Sequence, residues 1–126
     1  MQSGEFFTND EQQEIAAIIS AAESSCDLEF SLFVGELENG RKEAVKLHKS
    51  LNNNAKTVLV CVDIQNRGIE IVTGSYALAT IDNMVCNLVA VAMANAFATN
   101  DYVGGLRQAF SILGAHAYRP KSMTDV

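Results

Sequence analysis

Three aspartates occupy positions from which carboxylates do chemistry. Asp63 closes an apolar, β-branched run, and Asp82 and Asp101 each stand at the start of a helix-like segment. In open α/β sheets ligands gather at the carboxyl ends of parallel strands, and Asp63 falls there. Three carboxylates meeting on one rim would hold Ca2+ or Mg2+ through oxygen ligands. A cation so held neutralises phosphate charge and polarises a water molecule, with one carboxylate free to act as a base. That is the chemistry of a weak, metal-assisted phosphomonoester hydrolase. Aspartate is also an ordinary turn and helix-start residue that needs no ligand there. The reading taken is therefore a non-catalytic protein-interaction module, with the hydrolase as the alternative.

The remaining reactive side chains point to less. His48 and His116 and the three cysteines, Cys26, Cys61 and Cys86, show no zinc-ligand spacing and no C-x-x-C pair. His48 borders the apolar side of a helix-like stretch, as a hydrogen-bonded core-edge histidine does. A triad of Ser75, His116 and Asp82 lacks the G-x-S-x-G elbow. Cys61 and Cys86 sit in apolar runs, and the odd count without a C-x-x-C pair suits buried free cysteines in a reducing compartment. Thr73-Gly74-Ser75 ends a strand-like run. It is either a turn or an anion cradle of backbone N–H groups, although the spaced glycines and lysine of phosphate loops are missing. Gly104-Gly105 opens the last helix at a cost of about 1 kcal/mol per glycine. Close helix packing or close approach of a ligand would offset it.

Seven elements must position these groups. Thr8-Asn9-Asp10-Glu11 has capping-box spacing, and Ile15, Ile18, Ile19 and Ala22 continue a helix over about 9–24. A very short edge strand is expected at Glu5-Phe6-Phe7. Leu28, Phe30, Leu32 and Val34 alternate with more polar residues, giving a strand. Asn39-Gly40 breaks the chain before a second helix bearing Ala44, Leu47, His48 and Leu51, which Asn52-Asn53-Asn54 ends in a left-handed cap. Val58 to Val62 reads as a central strand covered on both faces. A turn over 63–68 then leads to an antiparallel partner through Ile69, Ile71 and Val72. The run 84–98 has only Asn87 and Asn95 as polar residues and reads as a helix buried nearly all round. The last helix carries Val103, Leu106, Phe110 and Leu113 and is stopped by Arg119-Pro120. The strand–helix–strand part crosses over right-handed and parallel. The expected fold is a three-layer α/β/α sandwich with a small mixed sheet of three to four strands, in one domain over residues 1–126.

The whole chain narrows the classes further. Its 126 residues are 48% hydrophobic and 19% charged, a globular composition. A net charge of −6 and a pI near 4.7 disfavour contact with phosphate backbones. The first ten residues have neither a basic start nor an apolar core, and the run 84–98 is too short to span a bilayer. The expectation is a cytoplasmic protein that neither binds nucleic acid nor inserts into membranes. It would work through an unidentified protein partner or a second copy of itself.

Longer stretches carry a family resemblance. "FATNDYVGGLRQAF" resembles the closing motif of TPM domains, in which an aromatic and a small-residue break precede Asp-Tyr and Gly-Leu opens the last helix. "GIEIVTG" resembles that family's hairpin strand. "GEFFTNDEQQEIAAIISAAE" followed by "LEFSLFVGEL" is similar to the start of a short, uncharacterised actinobacterial branch. The resemblance implies an α/β/α sandwich and, by analogy with the plant thylakoid-lumen member of photosystem II repair, a weak acid phosphatase whose acidic crevice holds calcium. Other members are understood to act through protein partners. Asp101 matches the aspartate of the Asp-Tyr motif, with Asp63 and Asp82 as candidates for the crevice. The Val-Asp-Asp-like stretch common before the first helix is replaced here by Phe6-Phe7-Thr8.

Overall fold

The capping box forms as its spacing requires. The Thr8 hydroxyl accepts the Glu11 N–H at 3.1 Å, and the Glu11 carboxylate accepts the Thr8 N–H at 2.9 Å. It starts α1, Asn9–Glu23, in a computed structural model that describes residues 6–118. There follow β1 (Glu29–Val34), α2 (Arg41–Lys49), β2 (Thr57–Asp63), β3 (Gly68–Thr73), α3 (Asn83–Phe97) and α4 (Tyr102–Ala117). Short 3-10 turns at Asn54–Lys56 and Ala77–Ala79 join them. Among the described residues the sheet has three strands in the order β1-β2-β3, with β1 parallel to β2 and β2 antiparallel to β3.

The alternation along the strands sorts the core into two layers. Phe30, Leu32, Val58, Val60, Val62 and Ile71 face α1, α3 and α4. Leu59, Cys61 and Val72 face Ala44 of α2 and its neighbours. Every residue of β2 is buried, as a central strand demands. The result is a three-layer α/β/α sandwich, with three helices over one face and α2 alone over the other. Across the three-helix layer α4 packs against both α1 and α3, so α3 lies at its flank, over β3.

Each outer strand has one main-chain group taken by a side chain. The Phe30 N–H of β1 donates to the Glu23 carboxylate at 2.8 Å. The Ile71 carbonyl of β3 accepts from the Arg41 guanidinium at 2.6 Å, and Arg41 also lies 3.5 Å from Glu70.

Four local expectations are corrected. Phe6 and Phe7 form a turn and bend rather than an edge strand, and Glu5 lies outside the described residues. Phe7 is instead packed into the main core. The second helix stops at a right-handed Ser50, before the three asparagines, none of which has positive φ. Thr80 followed by Asp82 reads as a cap with an acid in the first turn, whereas Asp82 itself caps α3 by accepting the Val85 N–H at 3.1 Å. Finally, α3 is covered on one side only: Val85, Val89 and Met93 are buried, while Met84, Leu88 and Val91 are 74%, 51% and 58% exposed. The stop expected at Arg119-Pro120 lies outside the described residues; α4 itself ends at Ala117.

Two glycines have steric reasons. A Cβ on Gly74 would sit 1.9 Å from the Asn54 carbonyl oxygen. The Gly74 N–H donates to Thr57 and the Tyr76 N–H to Ala55, so these amides are spent on the fold and Thr73-Gly74-Ser75 is a close backbone crossing. A Cβ on Gly105 would lie 2.6 Å from the Phe97 ring, so this glycine lets α4 pack closely against α3.

Candidate functional site

Asp63 ends β2 and is only 3% exposed. One of its carboxylate oxygens accepts the Leu37 N–H at 3.0 Å and the Asn66 side-chain amide at 2.9 Å; the other accepts the Asn66 N–H at 3.1 Å. Loss of water opposes its ionisation, but the bonds from Leu37 and Asn66 outweigh that, and its pKa is lowered below the ordinary carboxylate value. Asp63 thus stays charged and is nearly saturated, with one lone-pair direction left.

The hairpin that Asp63 opens reverses through Arg67, and α3 turns into α4 through Asn100. These two are the non-glycine residues with positive φ among those described, at 55° and 64°. Both line a cleft of about 270 Å3 together with Asp63, Ile69, Phe97 and Tyr102. The cleft joins an apolar wall to a guanidinium, an amide and a phenol, the composition of a small-ligand site. The sequence contained its acid but not its shape. A left-handed arginine has no propensity signal of its own, and Phe97 reads as one more core aromatic.

The three aspartates do not converge. Asp101 lies beside this cleft, between Asn100 and Tyr102, but its carboxylate caps α4 by accepting the Gly104 N–H at 3.0 Å. A Cβ on Gly104 would fall 2.1 Å from that carboxylate, which explains the glycine without any ligand. Asp82 sits at the other end of α3. There Cys86 meets Thr73 at 3.4 Å, and Thr73 pairs with Val58 at the start of β2, not with Asp63 at its end. Fifteen residues of helix, about 22 Å, separate the two rims. Among the described residues no group of three or more His, Cys, Asp and Glu is placed to hold a metal ion.

The remaining reactive groups serve the core. His48 is buried, and its ring donates to the Thr57 carbonyl at 2.9 Å. The Cys61 thiol is inert: burial first, and Glu70 second, push its pKa up to about 12, against a weaker opposing effect of Arg41. Cys26, Cys61 and Cys86 are all free.

A family described as "Domain of unknown function (DUF5130)" matches residues 2–114. The chain belongs to the DUF5130 family. Among curated proteins none matches it. Among solved structures it is similar to the BA42 protein of the psychrophilic bacterium Bizionia argentinensis, with a TM-score of 0.77 and 18% identity over 94% of this chain and 89% of that one. The N-terminal domain of cg2496 protein from Corynebacterium glutamicum gives 0.75 and 12% over 92% and 77%. The N-terminal domain of a protein from P. gingivalis gives 0.72 and 18% over 87% and 75%. At these identities the likeness establishes the fold alone.

A second surface of this DUF5130 chain stands apart from the cleft. The outer side of α3 presents Met84, Leu88 and Val91 to water, and the helix contains no charged residue. Among the described residues no helix is long and apolar enough to cross a membrane.

Proposed function

We propose that this domain is a protein-interaction module that works by presenting a surface rather than by catalysis. The observation that carries this reading is the uncovered apolar side of α3. Contiguous exposed apolar patches often mark protein-interaction sites. The spent aspartates add support: Asp63 holds a hairpin, and Asp82 and Asp101 cap helices. The resemblance to TPM domains, some of which act through partners, agrees with it.

In-cell photocrosslinking tests the reading. A benzophenone amino acid replaces Leu88 on α3 or, as control, the exposed Lys46 on α2. Protein adducts are expected from the first position well above the second. Equal or absent adducts at Leu88 would overturn the module.

The cleft beside Asp63 supports a second reading, the Ca2+- or Mg2+-assisted phosphomonoester hydrolase that the TPM resemblance suggests. Arg67 lines it and supplies a cation for a phosphate, and Asp63 brings a carboxylate with one lone-pair direction left. Hydrolysis of an aryl phosphate, dependent on either cation and lost in Arg67→Ala, would replace the first reading.

A further inference from the structure

The face of α3 is self-complementary, and we propose that it is the two-fold interface of a homodimer in which α3 packs antiparallel against α3 of a second copy. The inference rests on the interaction-module reading and names its partner.

A two-fold interface is isologous: if one residue meets a second, the second meets the first across the axis. Val91 lies at the middle of the exposed stripe, and the other exposed positions fall at equal steps on either side of it. Leu88 and Ala94 are three residues away, Asn87 and Asn95 four, and Met84 and Ala98 seven. With the axis on Val91, an antiparallel pair sets Leu88 against Ala94, Asn87 against Asn95 and Met84 against Ala98. Each large side chain meets a small one, as interdigitated helix packing requires. Each asparagine meets an asparagine, and an amide carries both donors and acceptors, so the pair satisfies itself. A polar pair within an apolar seam also fixes register. A parallel pair would instead stack Met84 on Met84 and Asn87 on Asn87, losing the large-to-small fit.

Charge selects the same surface. The chain carries −6, so two copies repel over most of their area. The fifteen residues of α3 include no Asp, Glu, Lys or Arg, so approach there is least opposed. Antiparallel alignment also brings opposite ends of the two helix dipoles together. Met84, Leu88 and Val91 expose on the order of 300 Å2 of apolar surface per copy. With the flanking alanines and asparagines, the pair buries roughly 1,000 Å2 in all, the size of a weak, reversible interface.

The test is the mass of the full chain in solution, followed by sedimentation from low micromolar to millimolar concentration. The 13.6 kDa chain is expected to double reversibly. Val91→Asp places two carboxylates on the axis and should weaken association about a hundredfold. Val91 is 58% exposed, so circular dichroism and the dilute melting temperature should not change. Two double variants test the register. Asn87→Asp with Asn95→Lys sets opposite charges across the axis and keeps the dimer, whereas Asn87→Asp with Asn95→Asp sets like charges and dissolves it. A chain that stays monomeric throughout, a dimer indifferent to Val91→Asp, or a dimer lost in the opposite-charge variant overturns the proposal. So does a monomer that cosediments with phosphatidylcholine vesicles. A monomer whose photocrosslinks from Leu88 all go to another protein ends the dimer but leaves the module standing.

Discussion

Asp63 keeps a negative charge where little water reaches it, because three N–H groups from Leu37 and Asn66 are aimed at its carboxylate. Asp63→Ala strands those donors and should destabilise the fold by about 2–3 kcal/mol at neutral pH, measured by urea unfolding. Its folded pKa lies below the unfolded value, which is about 3.9 for aspartate. The stabilisation is therefore complete above that value and fades as pH falls through the folded one. The gap between wild type and variant should narrow in strong acid. A gap that is the same at every pH would show that the held charge is not the source. At this scale the sequence was partly legible. It located Asp63 at a strand end and His48 at the core edge. It could not show that Asp82 and Asp63 occupy opposite rims, since the direction in which a helix runs over a sheet is decided by tertiary packing and leaves no local mark.

The helices and strands were nearly all readable, because period and punctuation are written into neighbouring residues: the capping box of α1, the alternation of β1, the unbroken run of β2. The covering of α3 was not. A charge-free helix reads as buried on every side, and hydropathy cannot tell a central helix from one at the flank of its layer, where α4 and β3 are the main elements that press on it. The α3–α4 contact makes its own prediction. Gly105→Ala adds about 1 kcal/mol of helix propensity but drives a methyl group into the Phe97 ring and to 3.2 Å from the Ala96 Cβ. Overpacking of this kind costs about 1–3 kcal/mol, so a net loss of about 1 kcal/mol is expected in thermal or urea unfolding. A gain in stability would mean that Phe97 swings aside without cost.

For the molecule as a whole, the sandwich places Cys61 in the middle strand with a layer on each side. With its pKa at about 12 and no exposed surface, it should react with a thiol reagent only through global unfolding. Its labelling at mild alkaline pH should be at least about a thousandfold slower than that of the half-buried Cys26. Comparable rates would show that β2 opens locally and that the two layers do not act as one unit.

Glu23 and Arg41 matter beyond the contacts they make. Each occupies a main-chain group on a strand with a single described neighbour, one on either border of the sheet. A strand from a stray chain therefore meets a blocked main-chain group on each border. Edge-to-edge pairing of crowded copies is hindered at those two points, and removing either side chain would free one more main-chain group to a fibril-like ladder.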